Sequence, residues 1–83
     1  MNQELLVKQL VYRSLHRGCK ETDFLLGNFA EEKLSQMEAS DLKLFDRLLV
    51  EDDLKIYDWI LGKELTPVEY QKLVSDIRRF HKI

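Results

Sequence analysis

The stretch TPVEYQKLVSDIRRF, residues 66–80, decides the fold class. Its apolar residues Tyr70, Leu73, Val74, Ile77 and Phe80 recur at three- and four-residue spacing, which aligns them on one stripe of an α-helix. The start is marked as clearly. Thr66 can cap, Pro67 suits the first helical position, and Glu69, three residues after Thr66, completes a capping box. Arg78, Arg79 and Lys82 close the stretch; their positive charge complements the negative end of a helix dipole, a reading preferred here to a nucleic-acid or membrane patch.

The same spacing runs upstream. Leu6, Val7, Leu10, Val11 and Leu15 form the stripe of a first helix, which Gly18 stops or turns sharply. A second helix, from about Lys20 to Met37, places Leu25, Leu26, Phe29, Ala30, Leu34 and Met37 on one face, with Gly27 weakening it slightly. Ser40 is the expected N-cap of a third, with Asp41 in its first turn and Leu42, Phe45, Leu48 and Leu49 facing inward. Asp52 or Asp53 caps a fourth, whose inward set is Leu54, Tyr57, Ile60 and Leu61 and whose end is Gly62. One Pro, three Gly and no sustained alternation leave little support for strands. The expectation is an all-α fold: a small antiparallel bundle of about five helices in one domain spanning residues 1–83.

At 83 residues such a chain buries only roughly 60 to 65% of its unfolded surface, so a deep private active-site cleft is not expected. Net charge is −2 but uneven: up to Lys20 there are four bases and one acid, whereas Glu21 to Asp58 carries eleven acids and four bases. That acidic middle argues against general nucleic-acid binding and points the basic end toward an anionic protein surface. Cys19 is the only cysteine, which excludes an internal disulfide and a cysteine-based zinc site. Charges at Glu4 and Lys8 interrupt any signal-peptide core, and no apolar run approaches bilayer length. A cytoplasmic protein without membrane association is expected.

Conventional sites are weak. His16 lies three residues from Cys19, but no third orienting group accompanies the pair. The run Glu51, Asp52, Asp53 lacks the alternation of a calcium loop and is explained by helix capping. No glycine-rich phosphate loop is present. Trp59 sits off the Leu54, Tyr57, Leu61 face, which leaves either a core or a part-exposed interface role.

What remains is HRGCKETD, residues 16–23. Gly18 as a helix terminator, Arg17 as a dipole partner and Glu21 as a first-turn acid account for it structurally. A docking reading fits equally: Gly18 removes bulk where another backbone could approach, between two side chains able to make directed charged hydrogen bonds. Spacing alone does not choose between them.

RGCKETD resembles the Arg-Gly-x-x-Glu signature of the FAD assembly factors of succinate dehydrogenase, the small bacterial flavinylation factors and their mitochondrial counterparts. FDRLLVEDDLKIYDWILG, residues 45–62, is similar to the Phe-x-x-Leu-Leu, Asp and Trp-hydrophobic block of that family, in matching order and separation. The likeness covers about Val7 to Phe80. It departs at Cys19, where methionine is common, and at Thr22, where an aliphatic residue is usual. The resemblance implies a non-enzymatic, chaperone-like factor. It would bind the flavoprotein subunit of succinate dehydrogenase, and often that of fumarate reductase, and promote covalent attachment of FAD to a histidine of that partner. FAD would belong to the partner, with no cofactor held stably by this chain. The partner-facing residues so implied are Arg17, Gly18 and Glu21; Cys19, Lys20, Asp23 and Trp59 are further candidate contacts. The alternative is a helical regulatory module binding protein or DNA; a thiol enzyme using Cys19 is a second rival.

Overall fold

A computed structural model describes residues 3–83, so the first two positions of the domain expected over residues 1–83 lie outside it. Five α-helices follow one another: α1 (Gln3–Leu15), α2 (Lys20–Lys33), α3 (Ala39–Leu48), α4 (Asp53–Leu61) and α5 (Gln71–Phe80), with 3-10 turns at Leu34–Gln36 and Val68–Tyr70 and no strand among the described residues. The all-α expectation holds. The helices share one hydrophobic cluster, in which Leu10, Leu26, Leu34, Leu42, Phe45, Leu48, Ile56, Ile60 and Ile77 are fully buried. Among the described residues no helix is long and apolar enough to cross a membrane.

α2 is the central element. α1 folds back on it, so that Leu15 lies against Gly27 and the Gln3 amide donates to the Met37 carbonyl at 3.1 Å. A Cβ at position 27 would run into the Leu15 side chain, so this glycine allows the two helices to approach closely rather than merely weakening one of them. α5 runs antiparallel along the other side: Phe80 meets Phe29 edge to face at 5.7 Å, and His81 Nε2 lies 2.7 Å from the Leu25 carbonyl oxygen.

Several local expectations shift. The α-helical part of the second segment ends at Lys33, where the chain tightens into a 3-10 turn before Met37 becomes extended. α3 starts before Ser40: the Leu42 N–H already donates to the Glu38 carbonyl at 3.0 Å, so Ser40 sits in the first turn and does not cap. At α4 the cap is Asp52, whose Oδ2 accepts from the N–H groups of Leu54 and Lys55 at 3.1 and 3.4 Å. Gly62, at φ 77°, ends it as expected, with the Lys63 N–H returning to Asp58 and that of Gly62 to Trp59.

The capping box before α5 does not form. Pro67 has ψ 145° and is extended, and a 3-10 turn precedes the helix with no side-chain cap. The inward stripe survives, with Tyr70, Leu73, Val74 and Ile77 buried and Phe80 packed against the cluster. Arg78 does complement a helix end, but that of α4: its Nη1 donates to the Ile60 carbonyl at 2.7 Å.

Candidate functional site

The elbow between α1 and α2 is built by backbone conformation first. Gly18 adopts φ +100°, a region that side chains rarely enter, and an added Cβ would meet nothing within 4 Å. The chain can therefore reverse there while leaving the outer side of the bend open. Asp23 Oδ1 accepts the Arg17 N–H at 3.0 Å, tying the bend to the first turn of α2. Cys19 is extended and precedes that turn, with its thiol 3.5 Å from Glu21 Oε1 and from Thr22 Oγ1. The fully buried Thr22 hydroxyl also donates to the Asp53 carbonyl at 3.2 Å. This buried polar residue is thus satisfied across the interface with α4.

Arg17 turns inward, contrary to the expectation that it points outward beside Glu21. Its Nε donates to Asp53 Oδ1, its Nη1 to the Leu49 carbonyl at 2.6 Å and its Nη2 to the Glu51 carbonyl at 2.7 Å, and its side chain is only 11% exposed. A planar guanidinium with fixed donors suits this role: it fastens the whole Leu49–Asp53 connection between α3 and α4 to the elbow. Gly18, Lys20 and Glu21 remain exposed, whereas Cys19 and Asp23 are half-buried.

Around Glu21 lie two adjoining clefts. One, of about 440 Å³, is lined by Cys19, Glu21, Asp52, Asp53, Leu54 and Tyr57. The other, of about 380 Å³, is lined by Lys20, Glu21, Phe24, Leu25, Tyr57 and Leu61. Phe24 and Leu54 are largely exposed. This corrects the assignment of α4, whose inward residues are Ile56, Trp59 and Ile60. Trp59 is 6% exposed and stacks on Tyr70 at 5.8 Å, so it belongs to the core and not to the surface. Periodicity could not separate the two faces because α4 is apolar nearly all round.

The basic end of the chain is partly used internally. Arg13 pairs with Asp46 at 2.7 Å, as Arg17 pairs with Asp53, so two of its four bases meet acids of the acidic middle. His16 stacks on Tyr12 at 4.1 Å and its Nδ1 lies 2.8 Å from the Tyr12 carbonyl oxygen. Among the described residues no group of three or more His, Cys, Asp or Glu is placed to hold a metal ion.

Comparison with known proteins places the chain as a whole. The family described as "Flavinator of succinate dehydrogenase" matches residues 8–81, which include both sequence blocks. The chain belongs to this flavinator family. A family relative from Coxiella burnetii, named "FAD assembly factor SdhE", is 35% identical over 81 residues, covering 95% of this chain and 96% of the relative. "Succinate dehydrogenase assembly factor 2, mitochondrial" of Dictyostelium discoideum is 37% identical over 78 residues, 94% of this chain and 55% of the relative. The Danio rerio protein of the same name is 42% identical over 72 residues, 84% of this chain and 46% of the relative. The chain spans about half the length of these two mitochondrial members of the flavinator family.

Proposed function

We propose that this chain is an assembly factor that promotes covalent attachment of FAD to the flavoprotein subunit of succinate dehydrogenase, docking through the Arg17-Gly18-x-x-Glu21 elbow. The flavoprotein subunit of fumarate reductase is a second partner of the same kind. Family membership and the names of the relatives support the assembly role. The observation that carries the docking surface is the open side of Gly18 next to the exposed carboxylate of Glu21, on an elbow held from beneath by Arg17.

The factor acts by conformation and not as an enzyme. Bond formation belongs to the flavin and to a histidine of the partner, and FAD stays with the partner. The factor binds best to a partner state that aligns ring and histidine, and so raises the population of that state. It works in the cytoplasm, without nucleic acid or membrane. The rival, a regulatory module bound to DNA, draws on a basic first helix, and the internal pairing of Arg13 and Arg17 weakens that support.

The test is co-expression of the flavoprotein subunit with wild-type chain, with Glu21→Ala and without the factor, scoring covalent flavin by in-gel fluorescence. Wild type restores the signal, and Glu21→Ala lowers it while thermal unfolding stays unchanged. Flavin attachment indifferent to the chain, together with a salt-sensitive shift of duplex DNA, would select the rival.

A further inference from the structure

Resting on the assembly-factor reading, we infer that the partner-contacting groups are Glu21 together with an apolar rim of Phe24, Leu54, Tyr57 and Leu61, and that this surface receives an apolar flavoprotein segment carrying one basic side chain. Glu21 and Phe24 are three residues apart on α2 and share a face. Leu54, Tyr57 and Leu61 recur at helical spacing on the outer side of α4, whose opposite side is already buried through Ile56 and Ile60. The two clefts meet at Glu21 and Tyr57, so the acid lies between the two parts of the rim. Phe24 is 61% and Leu54 65% exposed, and side chains of this size grouped around clefts mark an interaction surface.

Charge selects the occupant. Glu21 forms no ion pair among the described residues, and Asp52 lines the same cleft, whereas the charge of Asp53 is matched by Arg17. Among the described residues Lys20 is the only cation lining either cleft. A lysine or arginine set in an apolar segment meets both features: its stem covers the rim and its head reaches Glu21. Arg17 is then a positioning residue. It touches no partner but holds the Leu49–Asp53 connection, and with it the start of α4, beside the elbow.

The test is titration of the purified flavoprotein subunit of succinate dehydrogenase with the full chain at two salt concentrations, alongside sedimentation of the chain alone. Phe24→Ser and Leu54→Ser should each weaken binding by about tenfold or more, with melting temperatures unchanged. Val68→Ser, exposed but lining neither cleft, should bind as wild type. Glu21→Gln should weaken binding and flatten its salt dependence. If wild type binds and the Phe24 and Leu54 variants bind equally well, the rim assignment is wrong while the assembly-factor reading stands. If wild type neither binds nor promotes flavin attachment, that reading falls and the rim with it. Self-association abolished by Leu54→Ser, with flavoprotein binding intact, would make the rim a contact between copies of this chain and overturn the proposal.

Discussion

The guanidinium of Arg17 lies against the carboxylate of Asp53, 36 positions further along the chain, with the two side chains 11% and 29% exposed. Removing one member of such a pair leaves the other charge poorly solvated, and here it also strips two backbone carbonyls of their donors. Arg17→Ala should therefore destabilise the fold by about 2–3 kcal/mol, a drop of roughly 10–20 °C in melting temperature for a domain this small. Arg17→Lys should recover only part of this, since one ammonium cannot reproduce the three-point fork. Circular dichroism melts decide it. An Arg17→Ala protein as stable as wild type would return Arg17 to the outer surface.

Gly18 should respond differently. Its φ of +100° penalises any side chain by about 1–2 kcal/mol, yet the open space beside it penalises none for its size. Gly18→Ala and Gly18→Arg should thus melt at nearly the same temperature, both somewhat below wild type. Only the arginine should obstruct a partner, so covalent flavin yield should separate two variants that stability does not. A much lower melting temperature for Gly18→Arg than for Gly18→Ala would show that the outer side of the bend is occupied.

The helices were legible because a buried stripe needs three- and four-residue spacing, and the stripes around Leu10, Phe29, Phe45 and Ile77 all face the common core. Caps were less so. A cap depends on where the preceding chain enters, and at Glu38 and Pro67 that path overrides the side-chain signals of Ser40 and Thr66. The bend at Gly18 was legible, the role of its neighbour was not: nothing local in Arg17-Gly18 states that the arginine reaches carbonyls 32 and 34 residues away. The outer face of α4 was missed for a related reason. With apolar residues on both sides, only packing against α2 and α5 decides which side is left uncovered.

Trp59 gives an optical check on that face. It is the only tryptophan, so native fluorescence reports this position alone. Buried at 6% exposure against Tyr70, it should emit as an apolar indole, resist quenching by iodide and shift to longer wavelength on unfolding. Trp59→Ala should cost about 3–5 kcal/mol through the cavity it leaves. Emission at the wavelength of free indole in the native protein would put Trp59 on the outside and rotate α4.

Tyr70 supplies a pH signature. Burial, then the hydrogen bond to Glu51 Oε2 at 3.0 Å and the negative charge of Glu51, raise its hydroxyl above the ordinary value of 10.0. The folded state therefore keeps this proton where the unfolded state has released it. Below pH 10 the contribution to stability is constant; above it, stability is lost as pH rises toward the folded value. Tyr70→Phe removes a hydroxyl donor to a carboxylate and should cost about 1–2 kcal/mol near neutrality. It also removes the alkaline loss, so the difference between wild type and variant should shrink steadily above pH 10. Lysines and the other tyrosines titrate in both proteins and cancel in that difference. Urea unfolding of the pair from pH 7 to 11 measures it, and parallel curves throughout would mean that the Tyr70 hydroxyl is solvated in the folded protein.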